Sequence, residues 1–228
     1  MKTIDLMEKL KKRPIFKVQD VERLAYCSRE YAKLIVNRLK KRGYVTRVMR
    51  NVYTTKSDIF VVASNIVYPS YISFWSAACF LGYTEQIVNT ISVATTRKIR
   101  PLKFEGYTIR FVPLKHFFGY RKMTTSEGDI FVAEDEKLII DAFLRPSECG
   151  NFDEIQKIFK NANISKNKIV GYLKMVNNNS IAKKIGFLLE KTKNIDIADS
   201  FRLDNNYPVL NPFAKEWKKR SSKWRLRI

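Results

Sequence analysis

The chain is poor in the residues from which metal and cofactor sites are usually built. Among 228 residues there are three cysteines and a single histidine, His116. Cys27, Cys79 and Cys149 are far apart in sequence and form no CxxC pair. A structural zinc site takes about four Cys/His ligands, so the ligands nearly run out before geometry enters. An odd number of scattered thiols also argues against a disulfide framework. Neither a metal nor a cofactor is expected, and the cysteines read as small, mostly buried residues in a reducing cytoplasm. With 8 glycines and 7 prolines, no window is rich enough in either for a long disordered linker. No GxGxxG or phosphate-loop pattern occurs. Long apolar runs are missing as well: residues 59–63 and 72–81 fall far short of the roughly 20 residues of a membrane helix. Charge at Asp5 and Glu8 leaves no secretory apolar segment at the start. A soluble cytoplasmic protein with no membrane partner is expected.

Negative charge is scarce too, with 22 Asp/Glu against 43 Lys/Arg, for a net charge of +21. The excess is uneven. Residues 1–56 hold 16 Lys/Arg against 5 Asp/Glu, and residues 215–228 hold 7 against 1, so the 158 residues between carry only a small remainder. Concentrated positive charge favours a polyanion-binding surface. A membrane surface is the rival reading, but residues 1–56 offer no Lys/Arg-rich amphipathic helix with exposed Trp or Phe.

Residues 1–56 have the pattern of a winged helix-turn-helix. Ile4, Leu6, Met7 and Leu10 space a short helix that stops before Pro14, and residues 18–26 form a second with Val21, Leu24 and Ala25 inward. Ser28 is placed to cap a third helix, and Glu30 suits its first turn. Ala32, Ile35, Val36 and Leu39 then recur as one buried stripe. Arg29, Lys33, Asn37, Arg38, Lys40 and Lys41 face the other way. Gly43 stands where helices end in a left-handed residue. Val45, Val48 and Val52 next mark two short strands, with residues 49–51 at the tip and Asn51 able to take positive φ. In such units the second helix of the pair enters the major groove, and flanking elements hold phosphates. The candidate DNA-binding residues are therefore Ser28, Arg29, Tyr31, Lys33, Asn37, Arg38, Lys40, Lys41, Arg47 and Arg50.

Beyond residue 57 the chain is more aromatic and less charged. Residues 59–68 suit a helix or a strand, and residues 73–81 a buried helix ending at Gly82. Residues 91–94, 107–112 and 130–133 read as strands separated by turn signals. Helices are predicted over 136–143, 152–175 and 180–193, the last with Ile181, Ile185, Leu188 and Leu189 inward. The basic C-terminus contains Trp217 and Trp224, and residues 222–228 alternate as a final strand, so this segment reads either as a second nucleic-acid surface or as a charge-protected edge. The expected class is α+β: a winged helix-turn-helix domain at 1–56, then a domain at 57–228. The second domain is mixed α/β over 57–145 and mainly helical with a basic tail over 146–228.

Catalytic constellations are weak. His116 lies beside Phe117-Phe118-Gly119-Tyr120 and reads as packing. Asp129 with Glu134-Asp135-Glu136-Lys137 resembles the acid…E-x-K metal site of some nucleases. That spacing is generic, and the same acids suit the first turn of a helix. No enzymatic activity is expected.

Tyr71-Ile72-Ser73-Phe74-Trp75-Ser76-Ala77-Ala78, followed by Gly82-Tyr83-Thr84-Glu85-Gln86, resembles the AbiEi antitoxin family of abortive-infection systems. Val93-Ala94-Thr95-Thr96-Arg97, Phe117-Phe118-Gly119-Tyr120, residues 133–142, residues 183–190 and Trp224-Arg225 continue the resemblance in order. It implies a two-domain antitoxin of a type IV toxin–antitoxin pair. The N-terminal domain would bind double-stranded operator DNA upstream of its own operon and repress it. The C-terminal domain would counteract a nucleotidyltransferase-like toxin without a durable complex. The alternatives are a stand-alone winged-helix regulator and a metal-dependent nuclease.

Overall fold

Three apolar stripes and one hairpin organise the start of the chain in the computed structural model, which describes residues 3–228. Helices α1 (Thr3–Lys11), α2 (Val18–Ala25) and α3 (Arg29–Lys41) precede strands β1 (Thr46–Met49) and β2 (Val52–Thr54). Leu6 and Leu10, Val18 and Val21, and Ala32, Val36 and Leu39 pack from the three helices around Phe16 and Val45. Burying an aliphatic side chain of this kind gains about 1.5–3 kcal/mol, so this core holds the three helices together. Ile4, grouped with the inner stripe by its spacing, lies exposed, and Ile35 is only half-buried. Gly43 takes φ 72°. With Gly43 left-handed, its N–H donates to the Lys40 carbonyl and that of Tyr44 to the Leu39 carbonyl, each at 3.0 Å, which terminates α3 as expected.

Downstream, α4 (Ile59–Asn65) is a helix and resolves the helix-or-strand ambiguity of residues 59–68. Asp58 caps it, accepting from the backbone N–H of Phe60 at 2.8 Å and of Val61 at 3.3 Å. A six-stranded sheet follows, built from β3 (Ser70–Ile72), β4 (Thr90–Thr95), β5 (Leu102–Phe104), β6 (Tyr107–Pro113), β7 (Tyr120–Thr124) and β8 (Asp129–Ala133). Its spatial order is β5-β6-β4-β3-β8-β7. β4 runs antiparallel to β3 and parallel to β6, and β3 runs parallel to β8 through Ile72 and Val132. Strands β3, β5 and β7 have no counterpart in the sequence reading.

The remaining helices are α5 (Phe74–Phe80), α6 (Asp135–Leu144), α7 (Phe152–Asn161), α8 (Lys166–Val176) and α9 (Asn179–Lys193). The helix predicted over 152–175 is thus two helices. α7 ends at Asn161, Ala162 turns extended, and α8 starts after Ser165. The predicted final strand is also corrected. Residues 222–225 form a turn between β9 (Arg220–Ser221) and β10 (Leu226–Arg227), with Arg225 at φ 49°. The molecule is therefore mixed, with nine α-helices and ten strands among the described residues. None of those helices is long and apolar enough to cross a membrane.

By compactness the chain divides into two units that share the sequence in alternation. The first takes Met1–Ile72, Asn89–Pro113 and Lys122–Val132, and the second takes Ser73–Val88, Leu114–Arg121 and Ala133–Ile228. The junction between residues 56 and 57 lies inside the first unit.

Within that unit Glu127 clasps the junction. Its carboxylate accepts from the backbone N–H groups of Ser57 and Asp58, each at 2.8 Å, and from the Ser57 hydroxyl at 2.5 Å. The Asp58 amide first, and the Ser57 hydroxyl next, hold the Glu127 carboxyl below the usual carboxylate range. A carboxyl whose folded pKa is depressed adds stability above its unfolded pKa, and that stability is lost as pH falls through the folded value. Glu127→Gln is therefore expected to lower unfolding stability by about 1 kcal/mol at pH 7. The difference from wild type should shrink as the pH drops below about 4. Urea denaturation at several pH values measures it, and an equal loss at pH 7 and pH 3 would contradict the assignment.

Candidate nucleic-acid interface

The exposed side of α3 is set by what the other side buries. Ser28 caps the helix, its hydroxyl accepting from the Tyr31 N–H at 3.3 Å. Ala32, Val36 and Leu39 are buried, while Arg29, Tyr31, Lys33, Asn37, Arg38, Lys40 and Lys41 are all exposed. At about 100° per residue, Lys33, Asn37 and Lys41 form the middle of the solvent-facing arc. Arg29 and Lys40 flank it on one side, and Tyr31 and Arg38 on the other. Lys33 and Arg38 stand about 140° apart on this wheel. Seven of the ten sequence candidates thus span a broad, mainly cationic half-cylinder on α3. A helix lying in a groove about 12 Å wide meets phosphates on both walls, and only a cationic surface of that breadth reaches both.

The hairpin is stapled to the helices at both of its ends. Phe16, between α1 and α2, exchanges backbone hydrogen bonds with Tyr53, each at 2.8 Å, and the two rings stack with centroids 6.0 Å apart. This one-residue third strand carries no sequence pattern and was not anticipated. At the tip, Met49 pairs with Val52, leaving a two-residue turn of Arg50 and Asn51. Asn51 takes φ 61° as expected, and its side-chain oxygen accepts from the Val18 N–H at 3.4 Å. The tip is thereby tied to the start of α2. Arg50 projects from it, exposed, whereas Arg47 bends back and donates through Nε to the Met49 carbonyl at 3.3 Å. Among the described residues, none of Arg29, Lys33, Arg38, Lys40, Lys41 and Arg50 forms an ion pair. Their charges therefore face solvent outside any ion pair, with Glu30 the one carboxylate on the exposed side of α3.

The other candidates are held in structural contacts. Asp129 pairs with Lys122 at 3.0 Å and accepts from Thr124 at 2.8 Å. In the second unit Asp135 and Glu136 form the first turn of α6. Asp135 accepts from Tyr83 at 2.9 Å and from the Asn163 N–H at 2.8 Å, and Glu136 accepts from the Ser165 N–H at 2.9 Å. Burial works to raise the Glu134 carboxyl, but hydrogen bonds from Tyr172 and Lys168 outweigh it and hold the group low. Lys137 is fully buried and paired with Asp141, which also accepts from Ser73 at 2.7 Å. Burial pulls the Lys137 ammonium below its ordinary value, and Asp141 opposes that without cancelling it. Among the described residues no group of three or more His, Cys, Asp or Glu side chains is placed to hold a metal ion. His116 is half-buried.

At the C-terminus, Trp224 is 1% exposed and donates through its indole N–H to Glu190 at 2.5 Å, so it offers no stacking face. Trp217 is partly exposed, with the Arg220 and Arg227 guanidinium groups 5.0 and 5.7 Å from its ring centre.

No protein-family model matches the chain, and no curated protein does. Among solved structures, the chain is similar to the RV2827C protein of Mycobacterium tuberculosis, with a TM-score of 0.67 at 13% identity. The match covers 96% of this chain and 88% of the other. The likeness is one of fold. It extends over both units, so the combination of α1 to β2 with the sheet and the later helices is shared across two very different sequences.

Proposed function

We propose that residues 1–56 form a winged helix-turn-helix and that the chain is a DNA-binding antitoxin of the cytoplasm, repressing its own operon. The observation that carries the DNA half is the exposed cationic face of α3 beside the Arg50 tip. Exposed, unpaired lysines and arginines on a rigid helix repel one another, and a phosphate backbone relieves that repulsion with release of counterions. Asn37, in the middle of the face, has the amide that suits a bidentate contact to adenine. The antitoxin half is supported by the resemblance of residues 71–86, 93–97 and 133–142 to the AbiEi family. On this reading residues 57–228 counteract a nucleotidyltransferase-like toxin without a lasting complex.

The test is fluorescence anisotropy with a duplex carrying the DNA upstream of the chain's own gene, titrated at several salt concentrations. Binding should weaken steeply with salt, with a log–log slope near −0.9 for each phosphate engaged. A cellular arm scores growth when the full chain is co-expressed with the neighbouring gene product. No duplex binding at low salt would overturn the DNA half, and continued growth arrest would overturn the antitoxin half.

A further inference from the structure

The first unit holds a cleft of 780 Å³ beside the hairpin tip. Four cations line it, Lys17 from before α2, Arg50 from the tip, and Arg97 and Lys98 from the loop between β4 and β5, and no carboxylate does. Its floor is apolar, with Val52, Ile66 and Ile99. Arg50, Arg97 and Lys98 are exposed, and none of the four forms an ion pair among the described residues. The Arg97 carbonyl accepts from the Thr95 hydroxyl at 2.8 Å, which fixes the start of the loop. Like charges gathered around one concavity raise its potential well above that of a flat surface. An anion sharing the space would relieve this repulsion.

We infer that this cleft seats the phosphate backbone of the bound duplex, on the flank beyond the stretch covered by α3. The inference rests on the DNA reading above and extends it to residues that lie outside 1–56. Continuity decides the occupant. Arg50 belongs both to the cleft and to the hairpin tip, so a strand held at the tip runs directly between Arg50 and the Arg97-Lys98 loop. The apolar floor suits the sugar edge of that strand, and the open cationic rim suits a polymer that passes through.

The test compares two duplexes, the minimal footprint and the same sequence lengthened by about one helical turn of 10 base pairs on each side. Arg97→Gln with Lys98→Gln should bind the longer duplex roughly tenfold more weakly and flatten its salt slope by about 1.8, for two lost phosphate contacts. Binding to the minimal duplex should not change. Lys103→Gln, an exposed position on β5 outside the cleft, controls for loss of a positive charge elsewhere and is compared with each single variant as well as the pair, and unchanged thermal melting confirms the fold. If wild type binds and the double variant behaves like wild type, or like Lys103→Gln, on the longer duplex, the cleft assignment is overturned while the DNA reading stands. If wild type binds no duplex, both fall together.

Discussion

Replacing Lys33 and Arg38 together with alanine is expected to weaken operator binding at least about a hundredfold. On the proposed DNA reading, the two side chains leave α3 about 140° apart, so they would meet different parts of the groove and neither would substitute for the other. Two charged contacts of about 1.4 kcal/mol each give a factor of about a hundred. The salt slope should flatten by about 1.8 as two phosphate contacts are lost. Fold stability should hold or rise slightly. Both positions are exposed, outside the stripe of Ala32, Val36 and Leu39, and alanine is the best helix former. Anisotropy against salt, with a thermal melt on the same samples, separates the two effects. Tight, sequence-specific binding by the double variant would remove α3 from the reading role.

The second large effect lies at the closure of the C-terminus. Gly186 sits inside α9 with the Trp224 ring directly against it, and a Cβ there would overlap the ring. Propensity alone favours alanine over glycine in a helix interior by about 1 kcal/mol. Gly186→Ala should nevertheless cost about 2 kcal/mol net, because overpacking a filled site outweighs that gain. Trp224→Ala should cost about 3–5 kcal/mol by leaving a cavity. Combined, the two changes should cost at least about 2 kcal/mol less than their sum, since the new methyl then occupies space the ring has vacated. Chemical denaturation of the four proteins gives the cycle. A stabilised Gly186→Ala, or strict additivity, would show that the ring does not depend on the missing side chain.

Local signals in the sequence were enough for the start of the chain. The Ser28 cap, the stripe on α3, the left-handed Gly43 and the positive φ of Asn51 are each determined within a few residues, so each was legible. The split of residues 152–175 was concealed by apolar spacing that continues from Ile158 and Phe159 to Ile169 and Leu173 across the break at Ala162. Strands β3 and β5 are three residues long and exist because of partners far along the chain, and no periodicity survives in so short a run. Phe16 is the extreme case, a single residue made into a strand by Tyr53. At the proposed site, α3 was legible because an amphipathic helix announces both of its faces. The cleft was not, since Lys17, Arg50 and Arg97 come together only through tertiary packing. Trp224 misled for a related reason. Alternation suggested a strand with an available ring, but contact with Gly186 and Glu190 draws that ring inside.

The sheet order also sets a schedule for synthesis. β3 lies between β4 and β8, and its parallel partner β8 is not complete until residue 133. A chain growing on the ribosome can close its first three helices and hairpin from contacts within 54 residues. Over the next stretch it must carry β3 with one bare edge, at the stage when unpaired strands are most prone to aggregate. Slow translation before residue 133 would lengthen that exposure, whereas the contacts within the basic head would already be complete ahead of it.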